Sequence, residues 1–263
     1  KGGVGKTTTA VNLGVSLVQQ GKKVLLIDAD AQANLTMALG YNRPDDIPIT
    51  LSTVMQNIID DKTLDVSQGI IHHSEGVDLL PSNIEMSGFE VRLINAMSRE
   101  RVLKTYVNEV KKNYDYVLID CMPSLGMITI NALAAADSVI IPTQPHYLSA
   151  KGLELLLRSV SMVKRQINPK LRIDGILMTM VMPRTNISKE ITATVKSAYG
   201  QKIKVFDTEI PHSIRAVEAT AEGKSIFAYD KSGKVAAAYE QLGKEVAEIG
   251  EKQRNQNRAD RIR

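Results

Sequence analysis

The sequence has few of the residues on which several classes of protein depend. Its 263 residues include one cysteine, no tryptophan and 4% aromatic residues. A single cysteine cannot form an internal disulfide, which favours a reducing, cytoplasmic setting. Scarce aromatic side chains disfavour a base-stacking surface for single-stranded nucleic acid. No apolar run approaches the roughly 18 residues that a membrane-spanning helix needs, so no transmembrane segment is predicted.

Charge of either sign is also not in large excess. The chain carries 33 Lys and Arg against 29 Asp and Glu, a formal charge of +4. This mild basic balance is compatible with DNA, RNA or acidic lipid as a partner, but it does not require any of them. Hydrophobic residues make up 43% of the chain, enough to build the core of one large α/β domain.

Apolar segments alternate with helical patterns along most of the chain. The segments are continuous runs of Val, Ile and Leu, which is typical of strands buried on both faces. The alternation therefore predicts an α/β fold, with a mostly parallel twisted sheet and helices on both faces. The predicted strands are Lys23–Asp28, Val77–Leu80, Tyr116–Asp120, Ser138–Pro142, Arg172–Val181 and Ile203–Phe206. The predicted helices are Lys6–Gln20, Leu51–Ile59, Gly88–Lys112, Gly126–Ala136, Ala150–Gln166, Ser188–Tyr199 and Lys234–Ile249.

The predicted elements indicate one domain, residues 1–250, followed by a short tail. Residues 251–263 are polar and basic, and such a composition predicts a flexible segment. The chain begins inside a glycine-rich loop of a kind that normally follows a buried strand. We therefore expect a first strand upstream of Lys1.

The first residues, Lys-Gly-Gly-Val-Gly-Lys-Thr-Thr, lead directly into a predicted helix. Glycines allow the backbone to curl so that its N–H groups form a nest for phosphate at a helix N-terminus. Lys6 would reach the β- and γ-phosphates, and the hydroxyl of Thr7 would bind magnesium. A plain glycine-rich turn would not require this lysine–threonine pair. The loop therefore predicts ATP and Mg²⁺ as cofactors, bound by Lys1, Gly2, Gly3, Val4, Gly5, Lys6, Thr7 and Thr8.

Three aspartates come at the ends of predicted strands. Asp28 and Asp30 follow the run Val24–Ile27, and Asp120 ends the run that begins at Tyr116. The carboxyl ends of parallel strands meet at the sheet edge where ligands bind, so we expect these carboxylates beside the loop. Asp120 would hold a magnesium-bound water. Alternatively, Asp28 and Asp30 would only cap the helix that follows them.

The pattern K-G-G-x-G-K-T-T, with a lysine opening the loop, resembles the deviant Walker A motif of the ParA/MinD family of P-loop ATPases. The resemblance implies that Lys1 reaches across a nucleotide-sandwiched homodimer to the partner's phosphates. A second cation there would stabilise charge on the transferring phosphoryl group. The pattern D-x-D-x-Q resembles the family's second acidic motif. It implies that Asp30 activates the attacking water and that Asp28 lies in the outer shell of the magnesium.

Later segments extend the resemblance less specifically. Residues 120–126 are similar to the family's D-x-P-P-S-L-G loop, which senses the γ-phosphate. Residues 210–219 are similar to its I-P-x-x-x-R…E-A segment, which implies that Pro211 neighbours the adenine. Thr179, with Arg184, Thr185 and Asn186, falls where the family approaches the base or shapes the dimer surface. We interpret Cys121 as a packing residue rather than a nucleophile. The chain departs from the family pattern at Ala31, Ala33 and Met122, which predicts altered loops rather than lost activity. It also departs at His212, where partition proteins often carry arginine, and this leaves Arg215 as the better candidate for DNA binding.

Within this family, the sequence favours a ParA/Soj-type partition ATPase. Such a protein would bind double-stranded DNA without sequence preference as an ATP-bound homodimer, through phosphate contacts that depend on salt. It would be nucleoid-associated in the cytoplasm, and a ParB-type partner would stimulate slow hydrolysis. The candidate DNA-binding residues are Arg215, Lys189, Lys196 and Lys224.

Other readings of the same residues remain open at this point. Each basic candidate could instead belong to a solvated surface. A MinD-like positioning ATPase, acting at a membrane or on another protein cargo, would need an amphipathic C-terminal helix. The tail offers only Ile262 as a large apolar residue. A reductase with an iron–sulfur cluster would need more cysteines than Cys121. A related tyrosine kinase would have a tyrosine-rich tail, which this chain lacks. A non-catalytic scaffold would not need Lys1, Asp30 and Asp120 together.

Overall fold

The computed structural model describes residues 2–124 and 126–262, without the side chains of residues 147–151 and 257–262. Lys1, which is predicted to bind phosphate, lies outside the described residues, as do Leu125 and Arg263. The flexibility of the tail and the strand expected upstream of Lys1 remain predictions.

A four-stranded sheet forms the larger part of the framework. Its strands are β1 (Val24–Ala29), β2 (Ile71–His72), β3 (Asp78–Leu80) and β4 (Tyr116–Cys121), in the order β2-β3-β1-β4. Strand β1 is parallel to both β3 and β4, whereas β2 pairs antiparallel with β3 at the edge. In the β1–β4 register, Asp28 lies opposite Asp120. Two of the three predicted carboxylates therefore end adjacent strands.

A second sheet pairs β5 (Ser138–Thr143) in parallel with β6 (Arg172–Met178). Strand β6 ends earlier than predicted, and the predicted strand Ile203–Phe206 is reduced to an isolated bridge between Ile176 and Val205. Strand β2 was not predicted, because two residues carry too little pattern. Within the described ranges, no strand pairs with both β4 and β5, so there are two sheets. The predicted fold class, a mostly parallel sheet surrounded by helices, is confirmed.

Eleven α-helices are described in the ranges that the structure covers. They are α1 (Lys6–Gln19), α2 (Asn34–Ala38), α3 (Leu51–Ile59), α4 (Glu85–Leu93), α5 (Val102–Val110), α6 (Met127–Ala135), α7 (Tyr147–Gln166), α8 (Asn186–Tyr199), α9 (Ile214–Ala221), α10 (Ile226–Tyr229) and α11 (Lys234–Ile262). A single 3₁₀ turn spans Pro44–Asp46. Within the described chain, no helix is both long and apolar enough to cross a membrane.

The single helix predicted over Gly88–Lys112 is wrong, because the chain turns between α4 and α5. Ser98 has a positive φ of 52°, which an α-helix cannot contain. The turn is held by Asn131 of α6, whose amide donates to the Arg99 carbonyl at 2.7 Å and accepts from the Leu103 N–H at 3.1 Å. These bonds replace the partners that a continuous helix would supply, and they come from a residue distant in sequence.

Helix α11 continues past its predicted end at Ile249 and reaches Ile262. Gln253 explains part of this extension, since it accepts from Arg172 at 2.7 Å and donates to Asp174 at 3.0 Å, both on β6. The polar tail is therefore helical up to Ile262, and its first turns are attached to the smaller sheet.

The two faces of β1 pack into separate apolar clusters. Leu26 belongs to a cluster with α1 and α11, whereas Leu25 and Ile27 belong to a cluster with α3, α5 and α6. Both clusters are fully buried around this strand, which explains its continuous apolar sequence. With both faces covered, the carboxyl edge of the sheet is where polar side chains collect.

Candidate nucleotide-binding site

The glycine-rich loop before α1 forms an open cradle. Gly3 and Gly5 have φ values of 74° and 75°, a left-handed conformation that favours glycine. A Cβ built on Gly2 or Gly3 would meet nothing within 4 Å. Helix α1 begins at Lys6 without a side-chain cap, so its first N–H groups have no acceptor from the cap residue. The loop can therefore present backbone donors to an anion at the positive end of α1.

The smaller sheet holds this loop from one side. The Thr179 hydroxyl donates to the Val4 carbonyl at 2.9 Å, and the Gln144 amide donates to the Gly3 carbonyl at 2.5 Å. Thr179 was predicted to approach the base, and the structure places it in contact with the loop. Gln144 was missed, although it lies two residues after the end of the predicted strand Ser138–Pro142. Together these side chains attach the loop to the carboxyl ends of β5 and β6.

Thr7 and Asp120 meet where magnesium is predicted to bind. The Thr7 hydroxyl donates to Asp120 Oδ2 at 2.6 Å. Burial raises the pKa of Asp120 to about 6; the nearby Asp30 charge also raises it, whereas the Thr7 hydrogen bond and the Lys6 charge lower it. A bound cation would favour the ionised carboxylate. The oxygen donors of Thr7 and Asp120 are the type that Mg²⁺ prefers, and they fit this ion.

The rest of a magnesium shell would have to come from the nucleotide and water. Within the described ranges, no group of three or more His, Cys, Asp or Glu residues could hold a metal ion. Magnesium usually binds through one or two protein oxygens together with substrate phosphates, rather than in a cage made of protein alone. The pair of Thr7 and Asp120 matches this arrangement.

Asp28 is fully buried and organises the chain that follows β1. Its Oδ2 accepts from the Thr36 N–H at 2.8 Å and from the Thr36 hydroxyl at 2.7 Å, and its Oδ1 accepts from the Asp30 N–H at 3.1 Å. Burial raises the pKa of Asp28 to about 7, although these hydrogen bonds lower it, and the charge of Asp120 adds to the increase. The structure thus gives Asp28 a local structural role, and its outer-shell contact to magnesium remains a prediction.

Asp30 lies at the same edge and is nearly buried. Its side chain is 8% exposed, and its Oδ1 accepts from the Gln32 N–H at 3.0 Å. Its N–H donates to Asp28 Oδ1 at 3.1 Å, and Asp28 lies opposite Asp120 in the β1–β4 register. The structure therefore brings Asp28, Asp30 and Asp120 together beside the loop, as the strand ends predicted.

Pro211 lies beyond the carboxyl end of β6, in a segment attached to the chain around Thr179. It forms an isolated parallel bridge with Val181. On either side of it, the Ile210 N–H donates to the Met178 carbonyl at 2.9 Å and the His212 N–H donates to the Val181 carbonyl at 3.0 Å. Pro211 is thus held at the sheet edge that carries the loop, but its contact with a base remains a prediction.

Cys121 follows Asp120 and packs against the apolar cluster of α3, α5 and α6. Burial raises the pKa of its thiol to about 12. A protonated thiol is a poor nucleophile, so the geometry favours the packing role.

The four predicted DNA-binding residues all lie on the surface. Lys189 and Lys196 are on α8, Arg215 is on α9, and Lys224 follows α9. Three of them make ion pairs: Lys196 with Glu209 at 3.0 Å, Arg215 with Asp230 at 3.6 Å, and Lys224 with Glu222 at 2.8 Å. Exposed ion pairs contribute little free energy, so these side chains can exchange a carboxylate for a phosphate. Their role in DNA binding remains a prediction.

Comparisons with known proteins place these features in context. A family model described as an AAA domain matches residues 1–173. The chain is 43% identical over 251 residues to the sporulation initiation inhibitor protein Soj of Bacillus subtilis, covering 95% of this chain and 96% of Soj. It is 38% identical over 248 residues to the chromosome partitioning protein ParA of Myxococcus xanthus, and the match covers 94% of this chain and 84% of ParA. The fold is similar to a solved structure of cobyrinic acid a,c-diamide synthase from Mycobacterium smegmatis with bound ATP analogue and magnesium, at a TM-score of 0.81 and 34% identity. That match covers 93% of this chain and 89% of the synthase chain.

Proposed function

Since the chain belongs to the ParA/MinD family of P-loop ATPases, we propose that it is an ATP-dependent DNA-partition ATPase. The similarity to a protein named for chromosome partitioning, over 94% of this chain, carries the proposal. The 38% identity to the chromosome partitioning protein ParA exceeds the 34% identity to the cobyrinic acid a,c-diamide synthase, which favours partition over amide synthesis. The arrangement of the loop, Thr7 and Asp120 supports an ATPase.

The residues at the loop would bind and orient Mg-ATP. Backbone N–H groups of residues 2–8 would hold the β-phosphate at the N-terminus of α1, and Lys6 would contact the β- and γ-phosphates. Thr7 would bind the magnesium, and Asp120 would hold one of its waters. The metal would neutralise charge that develops on the phosphates.

Hydrolysis would then depend on two groups outside this cradle. Asp30, close to Asp120 at the sheet edge, would orient the attacking water. Lys1 of each subunit would contact the phosphates bound by the other subunit, so that dimerisation completes both sites. Slow turnover would follow, because a stable dimer must assemble before both lysines are in place.

The ATP-bound homodimer would bind double-stranded DNA through phosphate contacts without reading its sequence. Lys189, Lys196, Arg215 and Lys224 are the candidate contacts. Hydrolysis, stimulated by a ParB-type centromere-binding protein, would release the dimer from DNA. The protein would then be associated with the nucleoid in the cytoplasm.

The experiment that tests this cycle compares DNA binding by the wild-type chain and by Lys6→Ala. In a filter-binding assay, wild type is expected to bind duplex DNA with Mg-ATP but not with Mg-ADP. Lys6→Ala removes a phosphate contact, so it should lose ATP-dependent retention. If both proteins retained DNA equally in every nucleotide state, the proposed ATP switch would be wrong.

A further inference from the structure

Helix α6 begins immediately after the loop that follows Asp120, and its N-terminus has no cap of its own. The residue before it, Gly126, has no side chain to accept from the first-turn N–H groups. Glu90 of α4 supplies an acceptor instead, because its Oε1 lies 3.3 Å from the Ile128 nitrogen. A carboxylate at this end of a helix is also favoured by the helix dipole.

Glu90 reaches this position because residue 126 is glycine. A Cβ built on Gly126 would lie 2.2 Å from Glu90 Oε1 and 3.1 Å from its carboxyl carbon. The backbone of Gly126 does not itself require glycine, since its φ of −70° and ψ of −179° are open to any L-residue. Glycine is therefore needed at this position for space, so that the carboxylate can approach the helix.

Other contacts show that this end of the loop is anchored to helices. The Thr129 hydroxyl on α6 donates to the Ser124 carbonyl in the loop at 2.7 Å. Asn131, two residues further along, bonds to the Arg99 carbonyl and the Leu103 N–H in the turn after α4. The loop thus has one end on β4, at Asp120, and the other end on the pair of α4 and α6.

We propose that Glu90 is a positioning residue for ATP hydrolysis, one that fixes the loop around Ser124 relative to Asp120 by holding the start of α6. This proposal rests on the ATPase proposed above. Glu90 acts through the backbone of α6, to which it is hydrogen-bonded at Ile128, and it is not one of the residues assigned to bind the nucleotide. Its loss should therefore lower kcat while leaving ATP affinity unchanged.

The first test replaces the acceptor in two ways. Glu90→Ala removes the acceptor, whereas Glu90→Gln keeps an oxygen that can accept from Ile128. Glu90→Ala loses the carboxylate acceptor, so it should raise hydrogen–deuterium exchange at the start of α6 and lower kcat by about three- to tenfold. Glu90→Gln should recover most of both effects. Glu85→Ala, on the same helix but exposed, is the matched control and should behave as wild type.

A second test uses the close approach of Gly126. Gly126→Ala should displace the Glu90 carboxylate and reproduce the exchange and kcat of Glu90→Ala. In the double variant the two changes should not add, because they break one contact. Additive effects would show that Gly126 acts independently of Glu90.

Two outcomes would overturn the role of Glu90. One is unchanged exchange at residues 126–130 in Glu90→Ala, and the other is faster exchange with wild-type kcat. A parallel rise in KM and fall in melting temperature, without rescue by Glu90→Gln, would also count against it, since that pattern indicates a merely structural role. A wild-type chain that hydrolyses no ATP would instead contradict the proposed enzyme, so the two failures are distinguishable.

Discussion

The Thr7 hydroxyl donates a 2.6 Å hydrogen bond to Asp120 Oδ2, and this bond joins the phosphate loop to the end of β4. The two residues are far apart in sequence and come together because α1 packs beside the sheet that β4 borders. Each belongs to a separate motif for binding magnesium. Their contact therefore brings together the two side chains that are proposed to hold the metal.

Removing the Thr7 hydroxyl should weaken the magnesium-dependent part of ATP binding. Hydrogen bonds to charged groups contribute about 1.5–3 kcal/mol, so Thr7→Ala should lower Mg-ATP affinity by roughly ten- to a hundredfold. Thr7→Ser keeps the oxygen and should bind almost as wild type. Calorimetric titration of ATP in Mg²⁺ and in EDTA separates the magnesium-dependent part of ATP binding from the magnesium-independent part. An equal loss in EDTA would show that the hydroxyl does not act through the metal.

Replacing Asp30 should separate binding from hydrolysis. Asp30→Ala is expected to bind ATP and to remain dimeric, because the loop and Thr7 are intact, but to hydrolyse poorly for lack of a group that orients water. Phosphate release and light scattering with ATP would check both properties. An ATP-bound monomer would count against the assigned role of Asp30.

Arg215 is expected to contribute to DNA binding but not to nucleotide binding. Arg215→Ala should weaken duplex-DNA affinity uniformly across sequences. It should also lower the slope of log affinity against log salt concentration by about the share of one phosphate contact. ATP affinity should not change. Arg43→Ala is the matched control, because Arg43 is also an exposed arginine in an ion pair, at 2.7 Å from Asp46. Unchanged DNA binding at several salt concentrations would remove Arg215 from the candidates.

Buried Asp28 should make the stability of the metal-free, nucleotide-free protein depend on pH. Its pKa in the folded protein is about 7, above the value of 3.8 for a free aspartate. The folded state therefore favours the protonated carboxyl. The stabilisation is full below pH 4 or so and is lost as the pH rises through about 7. Wild type should lose stability relative to Asp28→Asn between about pH 4 and 7, as measured by urea unfolding in EDTA. A stability difference that stays constant across that range would contradict this expectation.

Local patterns in the sequence were sufficient to predict the fold class and the cluster of carboxylates. Continuous apolar runs identify strands buried on both faces, and the parallel arrangement brings the ends of β1 and β4 to one edge. The aspartates at those ends, Asp28, Asp30 and Asp120, then need no long-range information to be placed beside the loop. The confirmed family follows from the same residues.

The features that were missed depend on contacts between distant parts of the chain. The break between α4 and α5 is held by Asn131, and the extension of α11 is held by Gln253. Neither contact leaves a periodic signal in the segment it affects. Gln144 was missed for the same reason, since its bond to Gly3 joins residues that are 141 positions apart in the sequence. Such contacts require the three-dimensional structure.

The most direct test of the account is duplex-DNA binding by the protein with ATP, with ADP and without nucleotide, over a series of salt concentrations. We expect binding only with ATP, with an affinity that falls steeply as salt rises, because the contacts are to phosphates. Acidic vesicles under the same conditions serve as the control surface. Absence of DNA binding in every nucleotide state, or equal binding with ATP and ADP, would contradict a DNA-partition ATPase.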